Sequence, residues 1–293
     1  MGDLSRRIAI KTGGLLAGAV ATVAVLAGCT AAPYTLPARP TAAVSPVVAP
    51  LPTGTGFDYQ LGGSYDPPAG VGIVTRDSTD SPASGLYSIC YVNGFQTQGG
   101  DKSFWLKKHP TLVLRYKNHK PVYDAGWPDE MLLDTSTAGK RAAIAKVIGV
   151  TISSCARKGF AAVEFDNLDS WTRSHHKLSK SDNIALATLL TKRSHHSGLA
   201  AGQKNTSELG ASGRDRIGFD FAVAEQCYRY DECASYTDVY GDRVLDIEYT
   251  DDLRGTFAQA CADPRTPAMT ILRDIELTTP QSRHYVYEAC PPK

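Results

Sequence analysis

Residues 159–171 read Gly-Phe-Ala-Ala-Val-Glu-Phe-Asp-Asn-Leu-Asp-Ser-Trp. The stretch begins as an apolar run without alternation, the pattern of a strand covered on both faces. It then changes abruptly to acids and amides, with Asp166, Asn167 and Asp169 crowded together. Taken alone, such a segment also reads as a solvated turn. Carboxylates just past the C-terminal end of a parallel strand are where an α/β barrel places its chemistry. The rest of the chain decides between the two.

The same pattern recurs along the chain. Apolar segments at 57–61, 70–75, 86–92, 199–202, 219–224, 244–247 and 268–272 each run into polar residues or glycine. A stretch at 109–116 reads as a strand outside the barrel, and 131–134 is short, apolar and acid-terminated. Two helices are expected. Residues 137–158 keep Ala138, Ile144, Ala145, Ile148 and Ile152 to a face and stop at Gly159. Residues 181–197 do the same with Ile184, Leu186, Leu189 and Leu190, stopping at Gly198. Strands alternating with helices imply a parallel sheet. About eight such units match a single (β/α)8 TIM barrel. A doubly wound sheet is the alternative, but the first strand lacks a Gly-x-Gly-x-x-Gly loop.

The N-terminus reads as a targeting segment. Arg6-Arg7 precede an apolar run, and the surrounding residues resemble a twin-arginine export signal. Leu26-Ala27-Gly28-Cys29 resembles a bacterial lipobox, which implies cleavage before Cys29 and a lipid on it. Residues 1–28 are therefore expected as signal peptide, and 29–56, rich in Pro, Ala and Thr, as a flexible tether. Residues 57–293 are expected as one exported domain, a monomer anchored to the membrane or secreted. The whole chain of 293 residues has a formal charge of +1. Removing Arg6, Arg7, Lys11 and Asp3 with the signal leaves about −1. That balance, with no basic stripe, argues against nucleic acid as a partner.

Six cysteines remain beyond Cys29, an even number in an exported chain, and disulfides are expected. Six cysteines allow 15 pairings. Proximity favours Cys227–Cys233, Cys261–Cys290 would tether the C-terminus, and Cys90–Cys155 then remains. No Cys-x-x-Cys or matching His spacing points to a metal. The pairs His175-His176 and His195-His196 are adjacent residues that point in different directions, so no metal and no cofactor are expected.

The polar groups after the strands are dominated by carboxylates, amides and aromatics: Asp77, Asn93, Asp134, Asp166, Asn167, Asp169, Gln203, Lys204, Asn205, Glu225, Gln226, Glu248 and Tyr249. This is the composition of a carbohydrate site. Glycoside hydrolysis needs two carboxyls flanking the bond. Asp166 and Glu225 are the leading pair, because each directly ends a strongly apolar strand, with Glu164 and Glu248 in reserve. Asp77, Asp134, Asn167, Asp169, Lys204, Asn205, Glu248 and Tyr249 are expected to bind substrate. Lys204 could instead form a Schiff base in a lyase or aldolase. Ser84-Gly85 and Ser212-Gly213 lack a nucleophile-elbow context. Trp105, Trp127 and Trp171 are assigned to core or rim, with sugar stacking as the other reading.

Several motifs together resemble glycoside hydrolase family 114, the endo-α-1,4-polygalactosaminidases. They are Phe57-Asp58-Tyr59-Gln60-Leu61, Cys90-Tyr91, Leu133-Asp134, Val163 to Asp169, Gly202-Gln203-Lys204-Asn205, Phe219 to Cys227 and Ile247-Glu248-Tyr249. The resemblance spans roughly 57–250 and implies a TIM barrel with Asp166 and Glu225 as the acidic pair. It implies a polysaccharide substrate rich in galactosamine, cationic where not acetylated, which an acidic cleft would attract. Phe57 and Tyr59 stand where the family often has Trp, and residues 72–77 match only loosely. A non-catalytic carbohydrate-binding barrel would use the same cleft.

Overall fold

The computed structural model describes residues 47–291. The expected signal peptide, Cys29 and most of the tether lie outside the described residues. Eight strands, β1 (Gly56–Gln60), β2 (Val71–Asp77), β3 (Tyr87–Asn93), β4 (Ala162–Asp166), β5 (Ala200–Lys204), β6 (Phe221–Glu225), β7 (Val244–Tyr249) and β8 (Met269–Arg273), pair in parallel, each with the next. A last short strand, β9 (Tyr287–Ala289), runs antiparallel on the edge of β8 away from β7. The Tyr287 hydroxyl donates to the Phe57 carbonyl at 2.8 Å, so β9 reaches β1 and nearly closes an α/β barrel. Arg273 joins the same seam. Its wholly buried guanidinium meets Asp58 at 3.1 Å and donates to the backbone carbonyls of Tyr59, Thr278 and Val286.

Pleating divides each strand between two cores. Phe57, Tyr59, Ile73, Ile89, Phe221, Val223, Leu245 and Ile247 fill the interior. Cys90, Val92, Val163, Phe165, Ala201, Ala222 and Val244 face outward into a larger core. Two long helices contribute to that outer core, α2 (Ala138–Lys158) and α3 (Lys180–His196). Thr137 caps α2, and Gly159 ends it at φ 96°, a left-handed conformation that favours glycine. Ser179 and Asp182 form a capping box that starts α3. Short helices α1 (Lys102–Lys108), α4 (Ala234–Tyr240) and α5 (Phe257–Ala262) complete the described set. They were not foreseen, because one or two turns leave too short a periodic pattern to read.

Three further expectations are corrected. The strands ending at 202 and 247 in the sequence reading continue through Lys204 and Tyr249, because the backbone ladder outlasts the apolar run. Residues 109–116 lie outside the barrel, as expected, but neither they nor 131–134 form a continuous strand. They contribute isolated antiparallel bridges, Val113 with Leu133 and Arg115 with Pro121, to an insert between β3 and α2. Leu51, read as tether, is 3% exposed and packs in the inner core, so the barrel takes up chain before residue 57. The disulfides are Cys90–Cys155, Cys227–Cys233 and Cys261–Cys290.

Candidate active site

Strands β4, β5 and β6 end on Asp166, Lys204 and Glu225. The next residues, Asn167, Asn205 and Gln226, have φ of 63°, 47° and 61°. Non-glycine residues seldom adopt that left-handed region, and Asn does so most readily. Each strand therefore turns sharply just past its functional residue. The turns also bond back. The Asn167 N–H donates to Asp166 Oδ1 at 2.6 Å. The Asn205 amide accepts from the Glu225 N–H at 2.7 Å and donates to Glu225 Oε2 at 2.9 Å.

Lys204 Nζ lies 3.3 Å from Asp166 Oδ2 and 3.0 Å from Glu225 Oε2. Tyr91 donates to Asp166 Oδ2 at 2.8 Å, and Tyr249 to Glu225 Oε1 at 2.5 Å. The ammonium also sits 5.5 Å and 5.6 Å from the ring centres of Tyr59 and Tyr91. Burial pushes the Asp166 carboxyl up, but Lys204 and the donors from Asn167 and Tyr91 outweigh it and hold it below its ordinary value. Burial disfavours the charged lysine, yet Asp166, Glu225 and Glu164 raise it well above its ordinary value. Lys204 thus stays an ammonium, unsuited to nucleophilic attack.

These groups form the floor of a cleft of about 610 Å³. Seven carboxylates line it, those of Asp77, Asp124, Glu130, Asp166, Asp169, Glu225 and Glu276, against two cations, Arg173 and Lys204. Arg173 is committed to Asp124 at 2.5 Å and Asp169 at 2.7 Å. Glu130, which accepts from the Asn93 amide at 2.9 Å, is pushed up to about 7 by burial and by the charges of Asp166 and Asp124. Trp127, 66% exposed, stands on the lip. Ionisable groups on opposite walls, an aromatic rim and an open mouth form a site that can grip a sugar polymer and move protons at one bond.

The model of glycoside-hydrolase family GH114 matches residues 37–292. The chain belongs to this family of glycoside hydrolases. A search of curated protein sequences found no match. Among solved structures, Ega3 of Aspergillus fumigatus, crystallised with galactosamine, superposes with a TM-score of 0.62 at 23% identity. The superposition covers 85% of this chain and 98% of that one. The glycoside hydrolase domain of PelA from Pseudomonas aeruginosa gives 0.56 at 14% identity, covering 79% and 97%. Both likenesses show the fold.

The GH114 cleft collects most of the residues singled out in the sequence: Asp77, Asp166, Asn167, Asp169, Lys204, Asn205, Glu225 and Tyr249. Two are elsewhere. Glu248 sits next to the inward-facing Tyr249, so the pleat turns it outward. There it accepts the Tyr228 N–H at 2.8 Å and supports the loop closed by Cys227–Cys233. Asp134 accepts from Ser136 and pairs with Lys140, which makes it part of the entry to α2 rather than of the cleft. The GH114 cleft also uses groups that the sequence reading did not assign. Tyr91, and Tyr59 buried beneath the cleft, were findable as inward positions on their strands. Asp124 and Glu130 were not, because the insert folds over the barrel from a segment with no strand-end signal, and neither was Arg173, which lies in the connection after β4. Trp105 is buried and Trp171 packs on an apolar cluster, so only Trp127 of the three lines the cleft. His175 bonds Tyr116 and His195 bonds Asp220. Cys227, Cys233 and Asp246 lie close enough to share an ion, but the disulfide occupies both sulfurs.

Proposed function

We propose that this glycoside hydrolase cleaves α-1,4-linked galactosamine polymer, with Asp166 and Glu225 as its carboxyl pair. The observation that carries the reading is the Lys204-bridged pair on the floor of a cleft with seven carboxylates and two cations. Such a cleft favours a substrate bearing free ammonium groups. That Ega3 was crystallised with galactosamine supports the same substrate class.

The roles follow from the electrostatics. Asp166, held ionised, serves as nucleophile, and Glu225 as the acid that protonates the leaving oxygen. The two legs through Lys204 limit the facing oxygens to a separation of roughly 6 Å, which favours the retaining arrangement, about 5–5.5 Å, over the inverting one, about 6.5–9.5 Å. The test is product analysis on partly deacetylated α-1,4-galactosamine polymer. Asp166→Asn and Glu225→Gln should each lower kcat by about 10²–10⁴-fold while the fold persists. Near wild-type kcat in either folded variant would overturn the assignment. A binding-only barrel would give no reducing ends with any variant.

We also propose that the chain is exported and carries lipid on Cys29, on the strength of Leu26-Ala27-Gly28-Cys29. Cys29→Ser should release it from membranes or block its processing. Unchanged attachment and N-terminal mass would rule this out.

A further inference from the structure

One ionisable group in the barrel has no part in the mechanism above. Glu164 lies two residues before Asp166 on β4, so both side chains point into the barrel, one layer apart. It is wholly buried and lines no part of the cleft. Tyr59 donates to its Oε1 at 2.6 Å, and its Oε2 has no hydrogen-bond partner. The barrel makes room for it. Gly202 is its register partner on β5, and a Cβ there would come within 2.6 Å of the Phe221 ring and 3.3 Å of the Glu164 Cβ. A half-satisfied carboxyl in a barrel core costs stability. It faces Tyr59 from β1, Asp166 from its own strand, Lys204 from β5 and Glu225 from β6. Tyr91 of β3 lies within its field as well. Arg273 of β8 is committed to Asp58 and the Tyr59 carbonyl.

We propose that Glu164 is a positioning residue whose negative charge draws the Lys204 ammonium away from Glu225, leaving Glu225 free to hold the proton it must donate. In the resting arrangement Lys204 Nζ sits 3.0 Å from Glu225 Oε2, so that oxygen is engaged by the ammonium. An ionised Glu164 attracts the ammonium downward, away from that oxygen. Asp166 keeps its charge through Asn167 and Tyr91. Burial lifts Glu164 to about 7, against the opposing pull of Lys204 and Tyr59. Its charge therefore appears as the medium passes neutrality. This inference rests on the acid–base roles given to Asp166 and Glu225.

The test is the pH profile of kcat for Glu164→Gln, which keeps the size of the side chain and an acceptor for Tyr59. Below about pH 6 the variant and wild type should coincide, since a protonated Glu164 is as neutral as the amide that replaces it. Above neutrality the variant should fall away early, reaching about tenfold lower kcat by pH 8, the size of a one-unit shift of the alkaline limb. KM should change less than twofold. Tyr59→Phe removes the hydroxyl donor and should displace the same transition to higher pH, with activity recovering there. A uniform loss at every pH, or an alkaline limb unmoved in Glu164→Gln, overturns the proposal. If Glu225→Gln retained full activity, the underlying roles would fail instead, and that measurement is separate.

Discussion

Lys204, with a side chain 2% exposed, reaches Glu225 at 3.0 Å, while Glu225, 27% exposed, opens to the cleft. Removing the ammonium leaves Asp166 and Glu225 uncompensated, at a cost that their access to water keeps below the roughly 3–5 kcal/mol of a fully buried pair. Lys204→Met should lower the melting temperature measurably and reduce kcat at least as much as loss of one carboxyl. Borohydride with substrate should trap no adduct on Lys204 in the wild type. A trapped adduct would reinstate the Schiff-base chemistry.

Glu130 stands over the cleft and ionises near 7 because burial and the charges of Asp166 and Asp124 outweigh the Asn93 amide and Arg173. Affinity for an amine-bearing oligomer should therefore rise between pH 5 and pH 7, as the carboxyl gains charge before the sugar amines lose theirs. Glu130→Gln should flatten that rise, with little effect on the binding of fully acetylated oligomers. Isothermal titration at two pH values checks both.

Stability has its own dependence on pH. Glu164 takes up its proton more readily folded than unfolded, so ionising it opposes folding. The penalty is absent below about pH 4 and complete above about pH 7, and for a wholly buried group raised from 4.5 to about 7 it amounts to about 3 kcal/mol. Asp166 acts in the opposite sense and loses its contribution as acid is added. Chemical denaturation should show wild type weakening from pH 5 to pH 8, and Glu164→Gln should weaken much less.

The Cys90–Cys155 disulfide spans 65 residues and ties β3 to α2 across the whole insert. Closing a loop of that length contributes about 4 kcal/mol in the chain-entropy treatment. Replacing both cysteines by alanine should lower the unfolding free energy by up to that amount while leaving KM unchanged.

Trp127 offers an exposed ring at the lip, and the catalytic floor does not depend on it. Trp127→Ala should raise KM for polymer about tenfold and leave kcat alone. A change confined to kcat would place this ring at the reacting bond.

What the sequence made legible follows the physics of strands. Asp166 and Glu225 were readable because an apolar run that stops on an acid usually marks the mouth end of a buried strand. Glu248 misled because it follows the same rule one residue out of phase, and an unbroken apolar run does not reveal which face its end will show. Asp134 misled because its short apolar segment belongs to the insert. Asp124 and Glu130 could not be placed, since their approach to the cleft depends on how 113–133 folds, and Arg173, in the connection after β4, meets Asp124 only once that insert is in place. The buried contact of Tyr59 with Glu164 joins residues 105 apart and exists only once the barrel closes.

The insert between β3 and α2 contributes no strand to the barrel, yet it supplies Asp124, Trp127 and Glu130 to the cleft. Recognition and bond cleavage are thus written in different parts of the chain. A descendant of this protein could acquire a taste for another polymer by rewriting the exposed positions of that one insert, with Asp166, Lys204 and Glu225 inherited intact.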